Sequence, residues 1–520
     1  MFRKTVPLAL AMCAGLLTGC ASDEVVEVTE GFFGAVAVDE PRAAVVAQDV
    51  LVQGGNAADA AVSAFFTLAV TLPSSAGLGA NGSCVVFDPA GNRFEQLSFQ
   101  SRPLSNGDDG IAVPLGPRAM FALHARYGSL PFGQLIRDAE QLARFGDIVS
   151  RRLAEDLARD GAVLREAGPD RSELLAPSGD LLAAGSPLQQ LDLAATLSRL
   201  RGAGVGDLYS GQLAQRFIES AKTLGYTVDP ARLRAEVPSW SDATGVEFDS
   251  HIWALAASRP KDQALLAKTL AIAFHEADWA TSPRETDPLM VAEMSVRAAN
   301  AVAAGNMDAS EDEAERLFGD FRPGAERSRA TPGAIALFGG TAHSGATSFT
   351  VSDKRGLSVG CALTMNHAFG TGKVLPEMGV LAAPSRVGTE APLAAAVIAG
   401  NRNAWQVHMT AMAAGGRSVV SALAPAIARN YVGGQQLAGA VAAVRSHYDP
   451  SADMLYVEQG TEQAAANAAA AAGYRVRLAD LPVGAVRLFR CKNGLPRSEL
   501  DCGAADDPRG RGLMLYEAVK

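Results

Sequence analysis

The sequence is short of most features that would place it in a specialised class. Cysteine is scarce, six in 520 residues, too thin for a small scaffold held by disulfides. Beyond the first twenty residues no apolar run approaches the length of a membrane-crossing helix, which excludes a polytopic membrane protein. The 52 glycines follow no three-residue period, so a collagen-like chain is excluded. Positive charge is not in excess: 46 Lys+Arg against 56 Asp+Glu give −10. With no basic stripe to neutralise phosphates, nucleic acid is not an expected partner. The histidines at 124, 251, 275, 343, 367, 408 and 447 include no i, i+4 pair, and no cysteines have CxxC spacing. No metal centre and no cofactor are therefore expected. What remains, at 48% hydrophobic and 20% charged residues, is a globular protein with room for a sizeable core in one large domain or two to three ordinary ones.

The start of the chain reads as an address. Residues 1–20 are MFRKTVPLALAMCAGLLTGC: Arg3 and Lys4 supply a positive flank and 6–17 a short apolar stretch. Leu17-Thr18-Gly19-Cys20 resembles a bacterial lipobox, in which the peptide is cut before the cysteine and the cysteine is lipidated. An ordinary signal peptide with an incidental Cys20 is the alternative. The lipobox reading removes 19 of 520 residues, leaving 501. It also predicts a tether over 20–32, anchorage at Cys20 without a protein span, and a periplasm-facing place in the cell envelope. Ala21-Ser22 after the cysteine favours the outer membrane, by resemblance to enterobacterial sorting. In that oxidising compartment a local disulfide between Cys491 and Cys502 fits the loop-like CKNGLPRSELDC. Cys84 and Cys361, inside apolar runs, read as separate buried small hydrophobes.

Periodicity predicts a helix over 42–52, closed by Gly54-Gly55. A second, apolar on every face, follows over 57–70, with Asn56 as cap and Asp59 at N3. Strands are predicted over 83–88 and 93–99. Ser186-Pro187-Leu188-Gln189 has the form of a helix start, and further helices fit 210–224 and 263–276. Residues 306–346, rich in Asp, Glu, Arg, Gly and Pro, read as the best boundary in the chain. Beyond it the period switches to two, with strands over 347–353, 357–364, 393–398 and 404–410. Helices then follow over 418–430 and 464–472. Helices and strand pairs in both parts indicate layered sheets covered by helices.

Six stretches then carry a resemblance. They are QGGNAADAA at 53–61, the block from Val113-Pro114 through Tyr127-Gly128 to LARFG at 142–146, and GDLYSG at 206–211. They continue with Thr364-Met365-Asn366 before FGTG at 369–372, then Gly415-Gly416, and DPRG at 507–510. In this order they resemble the gamma-glutamyltransferase (gamma-glutamyltranspeptidase, glutathione hydrolase) family. The resemblance implies an α+β fold, the αββα four-layer sandwich of N-terminal-nucleophile hydrolases. It also implies self-cleavage that frees an N-terminal threonine as nucleophile. The freed α-amine acts as base, since a threonine hydroxyl is a weak nucleophile by itself, and two backbone N–H groups stabilise the oxyanion. The partner would be a small γ-glutamyl or other acyl-amide substrate. Segments 33–346 and 347–520 would correspond to the large and small subunits, pairing with each other after the cut.

The resemblance fails where the chemistry is concentrated. Aligned without gaps, the nucleophile position falls on Ala346, the family's second threonine on Thr347 and its histidine on Ser348. A one-residue deletion would make Thr347 the nucleophile, although such a slip turns a strand's side chains to the other face. The alternative is an ordinary strand threonine. Gln100 stands where the carboxylate-binding arginine belongs. Arg102, two residues on, either substitutes for it or is a solvated arginine. No carboxylate lies in 382–388, after 379–381, and the paired serines are absent around 392–395. Asn366 remains as a substrate-binding candidate. Gly415-Gly416 fits either an oxyanion-hole turn or a tight entry to a helix. Two functions follow. One is a lipid-anchored hydrolase or transferase acting through Thr347, with ordinary glutathione a poor substrate. The other is a pseudoenzyme that keeps the fold as an envelope binding or scaffold protein.

Overall fold

The structure is a computed structural model and describes residues 31–105, 110–167, 172–275, 279, 287–323, 325–339, 345–385 and 393–516. Cys20 and the tether up to residue 30 lie outside the described residues. Two antiparallel sheets form the centre. Sheet one has seven strands in the order Leu513–Tyr516, Gly34–Val38, Ala346–Asp353, Ser358–Thr364, Asn81–Asp88, Arg93–Phe99, Ser239–Asp242. Sheet two has six: Cys502–Ala505, Ala485–Leu495, Gln406–Ala414, Ala394–Asn401, His251–Ala257, Gly245–Phe248.

Alternation along each strand divides the core into three layers. In Ala346–Asp353, Phe349 and Val351 join Val36, Val38 and Cys84 in the core beneath the helices Pro41–Val52 and Ala57–Thr71. Ala346 faces the other way and packs with Ala254, Ala394 and Ala396 of sheet two. The small side chains between the sheets allow close approach. On the far side of sheet two, Leu255, Val397 and Ala411 pack under the helices Pro260–His275, Asp287–Ala303 and Val419–Tyr431. The result is an αββα sandwich.

Helix Ala57–Thr71 is buried on all faces, as its sequence demands. Its start is a capping box in which Asn56 Oδ1 accepts from the Ala58 and Asp59 N–H groups and Asp59 accepts from the Asn56 N–H. Two expectations are corrected. Pro187–Leu188 is a strand paired with Asp147–Ile148, and the helix begins at Leu191. Leu188 is buried and Gln190 N–H is committed to the Ala143 carbonyl, so the chain cannot turn helical earlier. Within 306–339, Glu311–Phe318 and Pro332–Phe338 are helices whose Ala314, Phe318 and Phe338 enter the sheet-two core. Cys84 and Cys361 are not independent hydrophobes: they are direct partners on neighbouring strands and are joined by a disulfide. Cys491 and Cys502, on the antiparallel strands Ala485–Leu495 and Cys502–Ala505, are also joined.

Candidate functional site

The two sheets meet at one end where Ala346 begins its strand and Gln406–Ala414 ends at Gly415. Gly345 is already held. Its N–H donates to Ser75 Oγ (3.2 Å), and its carbonyl accepts from Thr364 Oγ1 (2.7 Å) and the Met365 N–H (3.0 Å). Ala346 pairs with Thr364 and Thr347 with Leu363. The 346–347 peptide bond therefore lies inside a formed ladder, between residues 1% and 0% exposed.

Strand alternation decides where the candidate nucleophile points. Ser348 faces sheet two and donates its hydroxyl to the Ala413 carbonyl at 2.9 Å. Thr347, one residue earlier, faces the helices with Phe349 and Val351. Its Oγ1 is buried with no hydrogen-bond partner. The side chain that points toward the Gly415 end of sheet two is the methyl group of Ala346.

Asn366 sits close by in the left-handed region, at φ 66°. It is buried, its N–H donates to Thr364 Oγ1 (2.9 Å), and its Nδ2 donates to the Pro384 carbonyl (2.8 Å) and Ser101 Oγ (3.2 Å). Its Oδ1 accepts from Asn81 (3.2 Å). Gln100, in the place of the missing arginine, donates to the Gly82 carbonyl (2.9 Å). Arg102 follows Ser101 onto the rim, 60% exposed and 3.9 Å from Glu236. Gly415 and Gly416 have φ of 128° and 71°. A Cβ at Gly415 would lie 2.8 Å from Gly484 Cα, so both strain and contact require glycine there. Ser418 Oγ donates to the Gly415 carbonyl (3.0 Å). The fold thus gathers Ala346, Ser348, Asn366 and the glycine pair at one end, leaves Arg102 at the surface, and turns Thr347 away.

Beside Gly415 opens a cavity. Its wall carries Arg152, Arg159, Arg509 and Arg511 against Asp39 and Glu155, an excess of positive charge on an acidic chain. Arg152 donates to Asp39 (3.0 Å) and also pairs with Asp156, which accepts from Ser74 Oγ (2.5 Å). Burial works against the Arg152 charge, but Asp156 and Asp39 outweigh it and hold the guanidinium above its ordinary range. Arg152 is thus shared by two carboxylates, Arg509 pairs with Glu458 and Asp507, and Arg511 with Glu155, so a carboxylate or another small anion at this wall would meet guanidiniums held in place by acidic partners. Sequence reading missed this arginine set because its members lie far apart in the chain. It also passed over Thr364, although the residue stood in a quoted motif.

No group of three or more His, Cys, Asp or Glu among the described residues could hold a metal ion. Among the same residues no helix is long and apolar enough to cross a membrane. His251 and His408 do approach each other, at 4.5 Å between ring centroids, on sheet two. Burial, then His251, pushes His408 down to about 4.

The family model described as Gamma-glutamyltranspeptidase matches residues 43–383, well over half of the chain. Glutathione hydrolase 2 of Arabidopsis thaliana is 28% identical over 237 residues, covering 43% of this chain and 40% of that protein. The glutathione hydrolase proenzyme of Escherichia coli (strain K12) is 26% identical over 385 residues, covering 67% and 65%. The chain thus spans less than two thirds of the length of either relative. Among solved structures, the cephalosporin acylase from Bacillus halodurans matches with a TM-score of 0.78 at 18% identity, over 94% of this chain and 96% of that one. That likeness is one of fold.

Proposed function

This chain belongs to the gamma-glutamyltranspeptidase family, and from that premise we propose that it is an uncut member that binds rather than hydrolyses. Its ligands would be small carboxylate-bearing acyl amides, γ-glutamyl compounds among them. One observation carries this reading: Thr347, which follows the nucleophile position, lies on the strand face that packs under the helices, and its Oγ1 is buried without a hydrogen-bond partner. An N-terminal threonine mechanism needs hydroxyl, freed α-amine and oxyanion donors around one carbonyl. A cut before Ala346 frees an alanine. A cut before Thr347 must break a buried bond inside a ladder and then turn the strand over. The arginine-lined cavity beside Gly415 supplies the complement for an anionic ligand. The lipid anchor at Cys20, with a place in the cell envelope at the outer membrane, belongs to the same proposal.

Hydrolysis or transfer through Thr347 is the second reading. It is favoured by the persistence of Asn366 and of the Gly415-Gly416 turn beside the strand head. Denatured, reduced protein distinguishes the two by mass and N-terminal sequencing. Binding alone predicts a single polypeptide. A fragment that begins at Thr347, with 174 of the 520 residues, would overturn it in favour of hydrolysis.

A further inference from the structure

The end of sheet one away from Ala346 is basic. Gly34, where the described chain enters the sheet, pairs with Asp353, and the turn after Asp353 exposes Lys354 and Arg355. The loop between Ala485–Leu495 and Cys502–Ala505 abuts that turn: a Cβ at Gly356 would lie 2.8 Å from the Leu495 carbonyl oxygen and 3.3 Å from Pro496 Cδ. Lys492, Arg497 and Leu500 are exposed there, the leucine by 70%. The entry of the chain is tied to the same place. Phe32 packs on the Tyr516 ring, and the Tyr516 hydroxyl donates to the Cys502 carbonyl at 2.8 Å. Four cations and one exposed leucine thus stand beside the point where the N-terminal segment joins the fold.

The nearest acids do not cancel these charges. Asp353 is buried and accepts from the Ala57 N–H (3.1 Å) and the Arg355 N–H (2.8 Å). In the loop Glu499 is buried, and Asp501, which is exposed, accepts from Asn493. On neighbouring turns Arg93 with Asp88 and Arg402 with Glu247 cancel in pairs. The excess of exposed positive charge at this end stands against a total of −10 for the chain. A surface that offers anionic headgroups to cations and acyl chains to a leucine is a phospholipid bilayer.

We propose that this end of the molecule rests on an anionic phospholipid bilayer, with Leu500 entering the interface, an inference that rests on the membrane anchorage at Cys20 put forward above. Cys20 lies eleven positions before Gly31, a reach of at most about 40 Å. Contacts made within that reach are intramolecular in effect, so weak ones suffice. The intervening segment carries Asp23, Glu24, Glu27 and Glu30, which an anionic leaflet repels, so the body and not the segment makes the contact. Docked in this way, the chain turns its Ala346 and Gly415 end away from the bilayer.

The test supplies the anchor chemically. The chain from residue 20 onward keeps every described residue, and its only cysteine outside the two disulfides is Cys20. Coupling Cys20 to a maleimide phospholipid in vesicles of phosphatidylglycerol and phosphatidylethanolamine tethers it whether or not cells lipidate that residue. Lipidation itself is read separately, from the mass of the N-terminal peptide of protein made in cells, so the two readings fail independently. With brominated acyl chains in the vesicles, Leu500→Trp should show quenched and blue-shifted emission beyond that of the unsubstituted chain. Val237→Trp, exposed before the strand Ser239–Asp242 at the other end of sheet one, should show neither. Each cation at an anionic surface contributes about fivefold in affinity, so Lys354→Glu with Arg355→Glu should reduce docking at least about tenfold and remove the quenching, as should high salt. All these positions are exposed, and an unchanged melting profile checks folding. No quenching in the coupled Leu500→Trp chain would overturn the proposal, including the case in which the carboxylates of 23–30 occupy the four cations instead. So would quenching that survives the charge reversal, or equal quenching of Val237→Trp.

Discussion

Thr347 Oγ1 is buried without a partner, and a buried unsatisfied hydroxyl costs about 1–3 kcal/mol. Thr347→Val keeps the shape and removes that cost. The variant should be more stable by about 1 kcal/mol, read as a higher urea midpoint with unchanged slope, whereas a catalytic threonine placed for reaction would give no such gain. His408 supplies a pH test. Its folded value of about 4 lies below the ordinary histidine value, so the fold favours the neutral ring. The stability it contributes is complete above about pH 6.5 and is lost as pH falls through 4. Between those limits the native chain should lose more stability than His408→Gln, in denaturant titrations at stepped pH. At this scale the sequence was legible where one residue carries the meaning. The absence of a hydroxyl at 346 and of a cation at 100 can be read directly, and strand alternation gives the direction of Thr347. The Cys84–Cys361 bond could not be read, because the partners are 277 residues apart and meet only once the register of two strands is known.

The capping box shows how a local signal is enlarged by its surroundings. Asp59 accepts from the Ser129 N–H and Oγ as well as from Asn56, and Asn56 Nδ2 reaches the Tyr127 carbonyl at 2.6 Å. Asn56→Ala should therefore cost at least the ~1 kcal/mol of an ordinary cap, measured as a lower melting temperature. Asn56→Asp should recover part of it, because it restores the acceptor but not the donor. Helix starts with such side-chain chemistry were readable. Ser186-Pro187 carries the same signature and misled, because burial of Leu188 against the Asp147–Ile148 strand overrides a local preference. The arginine cavity was invisible from sequence for a related reason. Arg152 and Arg159 come from one helix and Arg509 and Arg511 from the C-terminal segment, and only packing brings them together. Arg159→Glu together with Arg511→Glu should weaken binding of glutathione or another carboxylate-bearing ligand at that wall by tenfold or more, measured by calorimetry.

For the molecule as a whole, period and motif order indicated the layered architecture, and the strand order within it needed the structure. Each sheet takes strands from both sides of residue 346. Ala346–Asp353 lies between Gly34–Val38 and Ser358–Thr364, and Ala394–Asn401 pairs with His251–Ala257. Residues 347–520 made alone would expose unpaired edges in both sheets. They should show no cooperative unfolding transition by circular dichroism, while the full chain shows one.

The Cys84–Cys361 bond gives this interleaving a chemical form. One sulfur lies before the 346–347 junction and the other after it, so the bond closes a ring of polypeptide that contains the junction, whereas Cys491–Cys502 ties off a short loop downstream. A protease that nicks any one site between residues 84 and 361 opens the ring without releasing a piece. Until a thiol reductant is added, the nicked product keeps its mass apart from one water and migrates as a single species. The number of chain ends and the number of molecules are thus separate quantities for this protein, and in an oxidising compartment the bond keeps the two sides of the junction together whether or not the backbone between them is whole.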